Sequence, residues 1–179
     1  MTAAPRRPGL YVHVPFCTRI CPYCDFAVTR GGPERRSSFV RALLREVASV
    51  APLWRERSGA EPFDTIYFGG GTPSLLEPGE LASVLDAVQE QLPVAPGARL
   101  SLEANPEDAT PERLAALREL GVATLSLGVQ SFDPRALRFL GRRHRPEEAR
   151  RAVERALEAG FPTVSVDLIF GLPAAIQGE

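Results

Sequence analysis

The sequence predicts an α/β fold in which parallel strands alternate with helices, closed into part of a (β/α) barrel. Two observations lead there. Short apolar runs rich in β-branched and aromatic residues recur five times, each followed by a loop and an amphipathic helical pattern. That alternation argues for βαβ units and a parallel sheet. Glycine-rich, polar or ionisable residues also follow all five runs, which suits a ring of loops at one barrel end better than the single crevice of a doubly wound sheet.

Taken in order, residues 1–8 are rich in Pro, Ala and Arg and read as a disordered tail, with one domain over 9–179. Leu10 to Val14 is the first strand, stopped by Pro15. A cysteine-rich loop follows it. Gly31, Gly32 and Pro33 precede a helix over residues 34–51, whose stripe is Phe39, Leu43 and Val47. Pro52 is expected beyond that helix, and residues 55–62 read as a polar linker. Asp64 to Phe68 is the second strand and runs into Gly69-Gly70-Gly71-Thr72-Pro73; Leu81, Leu85 and Val88 mark the next helix. Arg99 to Glu103 alternates as a third strand and breaks at Asn105-Pro106. Thr110 reads as an N-cap with Pro111 at the first helical position, and Gly121 closes that helix. Ala123 to Gly128 is the fourth strand. Asp133-Pro134 and Pro146 open two helices, and Thr163 to Phe170 is the fifth strand.

Composition removes several function classes. The chain has 179 residues and a formal charge of −1, so no electrostatic case exists for a nucleic-acid partner. All 21 basic residues are arginine, which removes lysine Schiff-base chemistry. No apolar run approaches the ~20 residues that span a bilayer, and no secretory signal opens the chain. Clustered thiols without such a signal fit a reducing cytoplasm.

The only three cysteines, Cys17, Cys21 and Cys24, stand in a Cys-x3-Cys-x2-Cys pattern. Thiolates so close can converge on one soft centre, an iron–sulfur cluster or zinc. Zinc would take His13 as a fourth ligand. Cys21 and Cys24 alone would form a redox pair, which leaves Cys17 unused. Other candidates sit at strand ends. The Gly69–Gly71 backbone can approach a small zwitterion closely, and no Gly-Lys-Ser/Thr follows it to make a phosphate loop. Glu103 offers an acceptor, Gln130 both a donor and an acceptor. Asp167 lies in an apolar run, where burial is costly unless the carboxylate is paired or used. Within Arg142, Arg143, His144 and Arg145, one arginine turned inward could fork onto a carboxylate; otherwise the cluster is a solvated helix end. His13 reads as a satisfied or loop-orienting histidine.

In combination these motifs resemble the radical S-adenosylmethionine (SAM) enzymes, within them the oxygen-independent coproporphyrinogen III oxidase family including its haem chaperone members. The resemblance is carried by Tyr11-Val-His-Val-Pro-Phe-Cys17, Cys21-Pro-Tyr-Cys24, Phe68-Gly-Gly-Gly-Thr-Pro73, Glu103-Ala-Asn-Pro106, Ser126-Leu-Gly-Val-Gln-Ser-Phe132, Leu140-Gly-Arg142 and Asp167-Leu-Ile-Phe-Gly-Leu-Pro173. It implies that Cys17, Cys21 and Cys24 bind a [4Fe–4S] cluster whose fourth iron is chelated by SAM. SAM contacts are implied for Tyr11, Gly70, Gly71, Thr72, Glu103, Gln130, Arg142 and Asp167, with Tyr23 packing nearby. Phe26 departs from the further cysteine of porphyrinogen-oxidising members and is similar to the haem chaperone branch, with haem as cargo. The implied partners are SAM, haem or a porphyrinogen, an electron donor protein and a haem acceptor. Ending at Glu179, the chain is expected to be a fragment lacking a sixth strand and a C-terminal domain, with the fifth strand left as an apolar, aggregation-prone edge.

Overall fold

The computed structural model describes residues 7–173 and 175–176. Its elements in chain order are β1 (Gly9–Val14), β2 (Phe16–Cys17), β3 (Thr29–Arg30), α1 (Pro33–Ser58), β4 (Phe63–Gly70), α2 (Pro78–Gln91), β5 (Val94–Ala104), α3 (Pro111–Glu119), β6 (Val122–Gln130), α4 (Pro134–Phe139), α5 (Pro146–Glu158) and β7 (Thr163–Leu168). Five strands form one sheet in the order β1-β4-β5-β6-β7, every pair parallel. The strand order never reverses, so there is no switch-point crevice, and the sheet is the opening arc of a (β/α) barrel.

The alternation of side chains sorts the two faces. Val12, Val14, Ile66, Phe68, Leu100, Leu102, Leu125 and Leu127 are buried in the layer between sheet and helices. Each such apolar side chain contributes roughly 1.5–3 kcal/mol by leaving water. The opposite face carries Tyr11, His13, Tyr67, Ser101, Glu103, Ser126 and Asp167. In-register pairing sets Tyr11 beside Tyr67, Tyr67 beside Ser101, and Glu103 beside Ser126. One face therefore supplies stability and the other chemistry.

Short-range signals behave as expected. The Thr110 side chain accepts from the Arg113 N–H, and Asp133 accepts from the Arg135 and Ala136 N–H groups. The first helix differs. It continues through Pro52 to Ser58, and the expected linker begins only at Gly59. An interior proline removes a helical hydrogen bond. Here packing outweighs that loss, because the Trp54 ring stacks on Phe63 at 4.6 Å and its Nε1–H donates to the Glu61 carbonyl. Residues 1–6 lie outside the described residues, while the Pro8 carbonyl accepts from the Asp64 N–H at the start of the sheet. At the other edge, Leu168 is 57% and Phe170 95% exposed, an apolar border. The sequence after Pro173 lies outside the described residues except for Ala175 and Ile176. Among the described residues no helix is long and apolar enough to cross a membrane.

Candidate functional site

The cysteine loop is tied down at its base. Phe16–Cys17 pairs in parallel with Thr29–Arg30, and the Thr29 N–H donates to the Pro15 carbonyl. His13 reaches in from β1. Its Nε2 lies 2.9 Å from the Ala27 carbonyl, which can only accept, so Nε2 carries the hydrogen and Nδ1 accepts from the Tyr11 hydroxyl at 3.1 Å. His13 is thus a loop-orienting residue, with both nitrogens committed away from the thiols. All three cysteines are free and half-buried. Among the described residues no three His, Cys, Asp or Glu side chains are arranged around a single-ion position.

A cleft of about 420 Å³ lies over the carboxyl ends of the strands. Cys17, Cys21, Cys24 and Tyr23 line one side of it. Gly70, Gly71 and Thr72 line the floor, and Glu103, Gln130, Arg142 and Asp167 complete the wall. Of the expected contacts only Tyr11 stays outside. Its ring stacks against Tyr67 at 6.0 Å, so it supports the wall from behind.

The floor is glycine because its neighbours leave no room for a side chain. Gly70 has φ of 112°, and a Cβ there would meet the His13 ring at 2.6 Å; one on Gly71 would meet the Phe16 carbonyl at the same distance. The close backbone approach and the packing from beneath are one requirement.

Glu103 is held on both oxygens. Tyr67 donates to Oε1 at 2.7 Å, and the Gly70 N–H donates to Oε2 at 3.1 Å. Burial first, and then this bond to Glu103, push the Tyr67 phenol well above its usual range. Asp167 does not bear the burial cost expected of it. It is exposed on the open face, where the Ser126 hydroxyl donates to it at 3.0 Å. Gln130 takes the left-handed conformation, φ 67°, where the β6–β7 register shifts. A non-glycine residue there is uncommon, and the kink turns its side chain into the cleft.

Arg142 is the inward arginine. One terminal nitrogen donates to Asn105 Oδ1 at 2.5 Å and to the Gly128 carbonyl at 2.6 Å; the other lies 3.7 Å from Cys21 Sγ. Asn105 Nδ2 in turn donates to Thr72, whose hydroxyl lies 3.8 Å from Cys17 Sγ. Asn105 was legible only as a strand breaker, and Tyr67 only as a strand residue. Their partners are 33 to 37 residues away along the chain, so no local pattern could mark them. Burial pushes the Cys17 thiol up while the Thr72 hydroxyl pulls it down. Burial likewise pushes the Tyr23 phenol up to about 12, against the pull of the Arg142 charge.

The donor set suits a thiolate-ligated cluster with a zwitterion beside it. Three free thiols share one loop, and two of them have a hydrogen-bond donor close by. Arg142 Nε is buried without a partner, which leaves a cationic donor for a ligand carboxylate.

Comparison with known proteins agrees with this geometry. The family model described as the Radical SAM superfamily matches residues 11–175. The chain is 43% identical over 171 residues to the "Heme chaperone HemW" of Mycobacterium tuberculosis, covering 92% of this chain and 42% of that protein. Against the protein of the same name from Escherichia coli it is 38% identical over 166 residues, covering 92% and 43%. Among solved structures, coproporphyrinogen III oxidase (HemN) from Escherichia coli superposes with a TM-score of 0.82 at 30% identity, over 95% of this chain and 39% of that one. The chain spans about two-fifths of the length of the curated relatives it matches.

Proposed function

The chain belongs to the radical SAM superfamily, and from that premise we propose that it is the cluster- and SAM-binding core of a haem chaperone. The observation that carries the reading is the facing of three free thiols and a glycine floor across one cleft walled by Glu103, Gln130, Arg142 and Asp167. In this reading Cys17, Cys21 and Cys24 ligate a [4Fe–4S] cluster. When bound, that cluster supplies an electron to the SAM sulfonium, and the chemistry is the cofactor's own.

The protein's part is binding and orientation. Arg142 offers its unpartnered Nε to the SAM carboxylate. The Gly70–Gly71 backbone, stiffened by the Glu103 clamp, faces the amino end. Glu103, Gln130 and Asp167 supply acceptors for the amine and ribose hydroxyls. Tyr23 packs beside the cofactor, and Tyr11 acts through Tyr67 and His13. Free, clustered thiols of this kind suit a reducing cytoplasm.

The chaperone assignment rests on Phe26, which lines the cleft where porphyrinogen-oxidising members carry a further cysteine, and on the relatives named as haem chaperones. Haem is then cargo, passed to an acceptor protein, and a separate protein donates electrons. The structural likeness to coproporphyrinogen III oxidase supports a second reading, oxidative decarboxylation of a porphyrinogen.

The test is anaerobic reconstitution with iron and sulfide, iron and sulfide counting, and EPR of the dithionite-reduced protein with and without SAM. A [4Fe–4S] signal that SAM perturbs and that Cys21→Ala abolishes is expected. One zinc per chain and no cluster would overturn the reading. Decarboxylation of coproporphyrinogen by a longer form carrying this core would favour oxidase over chaperone.

A further inference from the structure

A second cavity, of about 700 Å³, opens between α4 and α5 on the far side of Arg142 from the cleft. Its composition is unusual. Arg138, Arg143, Arg145 and Arg150 are exposed around it, and none of the four is ion-paired among the described residues. Against them stands a single acid in the lining, Glu147. Four like charges round one hollow repel each other and focus a positive potential inside it. The floor is apolar, with buried Leu137 beneath and the Phe132 ring covered by the Arg150 guanidinium at 5.4 Å. His144 fixes the wall. It is buried, with Nε2 donating to the Val129 carbonyl and Nδ1 lying 3.4 Å from Glu107.

A concavity with an apolar floor and unpaired guanidinium forks fits an amphipathic anion better than a small inorganic one. We propose that this cavity binds a ligand carrying two or more carboxylates on an apolar body. Such chemistry belongs to a tetrapyrrole with its propionates, and that source rests on the function proposed above; a free polycarboxylate is the other source. Guanidinium forks match carboxylates two bonds at a time, so charge on the ligand should decide affinity. Because Arg142 lines both spaces, a ligand here would sit against the wall of the SAM cleft.

The experiment titrates the whole chain with haem, with haem dimethyl ester and with dodecanedioate, following Soret absorbance for the first two and calorimetry for the third. Wild type is compared with Arg143→Gln/Arg150→Gln, and thermal unfolding checks that both are folded. Arg138→Gln serves as a milder second variant. Haem binding at least tenfold tighter than the ester, with that preference lost in the double variant, is expected and identifies the tetrapyrrole source. Dodecanedioate binding that needs the same arginines, without a preference for haem over its ester, supports the site and identifies a free polycarboxylate. Haem bound equally well by wild type and variant would overturn the cavity assignment while leaving the tetrapyrrole function standing. No arginine-dependent binding of any probe would overturn it as well.

Discussion

Asn105 is the residue whose removal should travel furthest through the site. Its amide holds Thr72 through Nδ2 at 3.1 Å and Arg142 through Oδ1 at 2.5 Å, and those two side chains stand beside Cys17 and Cys21. Asn105→Ala deletes one neutral hydrogen bond, worth about 1 kcal/mol, and one charge-assisted bond, worth about 2 kcal/mol. Arg142 keeps the Gly128 carbonyl at 2.6 Å, so the loss of stability should stay near or below 3 kcal/mol and the fold should survive. The effect on the cluster is the sharper readout. Hydrogen bonds to thiolate sulfur favour the reduced, more negative cluster and raise its potential. If loosening both donors costs the reduced state about 1 kcal/mol, the one-electron potential falls by about 40 mV. An EPR-monitored redox titration of reconstituted wild type and Asn105→Ala measures it directly. Asn105→Asp retains an acceptor for Arg142 but loses the donor to Thr72, so its shift separates the two arms. A potential unmoved in Asn105→Ala, with the cluster at full occupancy, would refute the coupling.

Gly71→Ala places a Cβ 2.6 Å from the Phe16 carbonyl, a backbone atom that cannot swing away; it should lower thermal stability by about 1–3 kcal/mol and cut iron incorporation, as calorimetry and iron counting would report. The chain's three tyrosines, Tyr11, Tyr23 and Tyr67, are all raised above the usual phenol value of about 10, chiefly by burial. Folding therefore favours their neutral forms. That stability is fully present below pH ~10 and is lost as pH rises through the folded values, about 12 for Tyr23. Absorbance at the tyrosinate band should show Tyr23 and Tyr67 ionising well above the usual phenol value, and Tyr67→Phe should remove one of these late-titrating groups. Leu168→Lys on the exposed β7 edge should leave the folded signal intact and reduce light scattering on concentration, because an edge lysine disfavours strand pairing between copies.

How much of this was readable beforehand depended on range along the chain. Thr110 and Asp133 declared their helix starts because a cap bonds within three residues of itself. The cysteine spacing pointed to a thiolate centre for the same reason. The alternation of Leu100 and Leu102 against Ser101 and Glu103 placed Glu103 on the chemical face. The end of α1 was not readable, since it rests on Trp54 meeting a strand that starts beyond the helix. Nor was the bridge of Phe16–Cys17 to Thr29–Arg30, two residues on each side and too short for any periodic signal. The burial expected of Asp167 was not readable either: its apolar neighbours alternate away from it, and the carboxylate is exposed beside Ser126.

Phe26 bears on what the cleft can hold. Its ring is 69% exposed yet lines the cleft, on the same loop as the three cysteines and not far along from Cys24. A large apolar side chain left in water gains nothing for this segment, and the loop is already held by His13, by the Pro15–Thr29 bond and by the strand pair at its base. A cysteine here would put a fourth thiol at the mouth, where it could meet a second ligand. Phenylalanine replaces that reactive group with an apolar surface suited to contact. On the function proposed above, that apolar surface suits contact with a flat cargo better than exchange of protons or electrons with it.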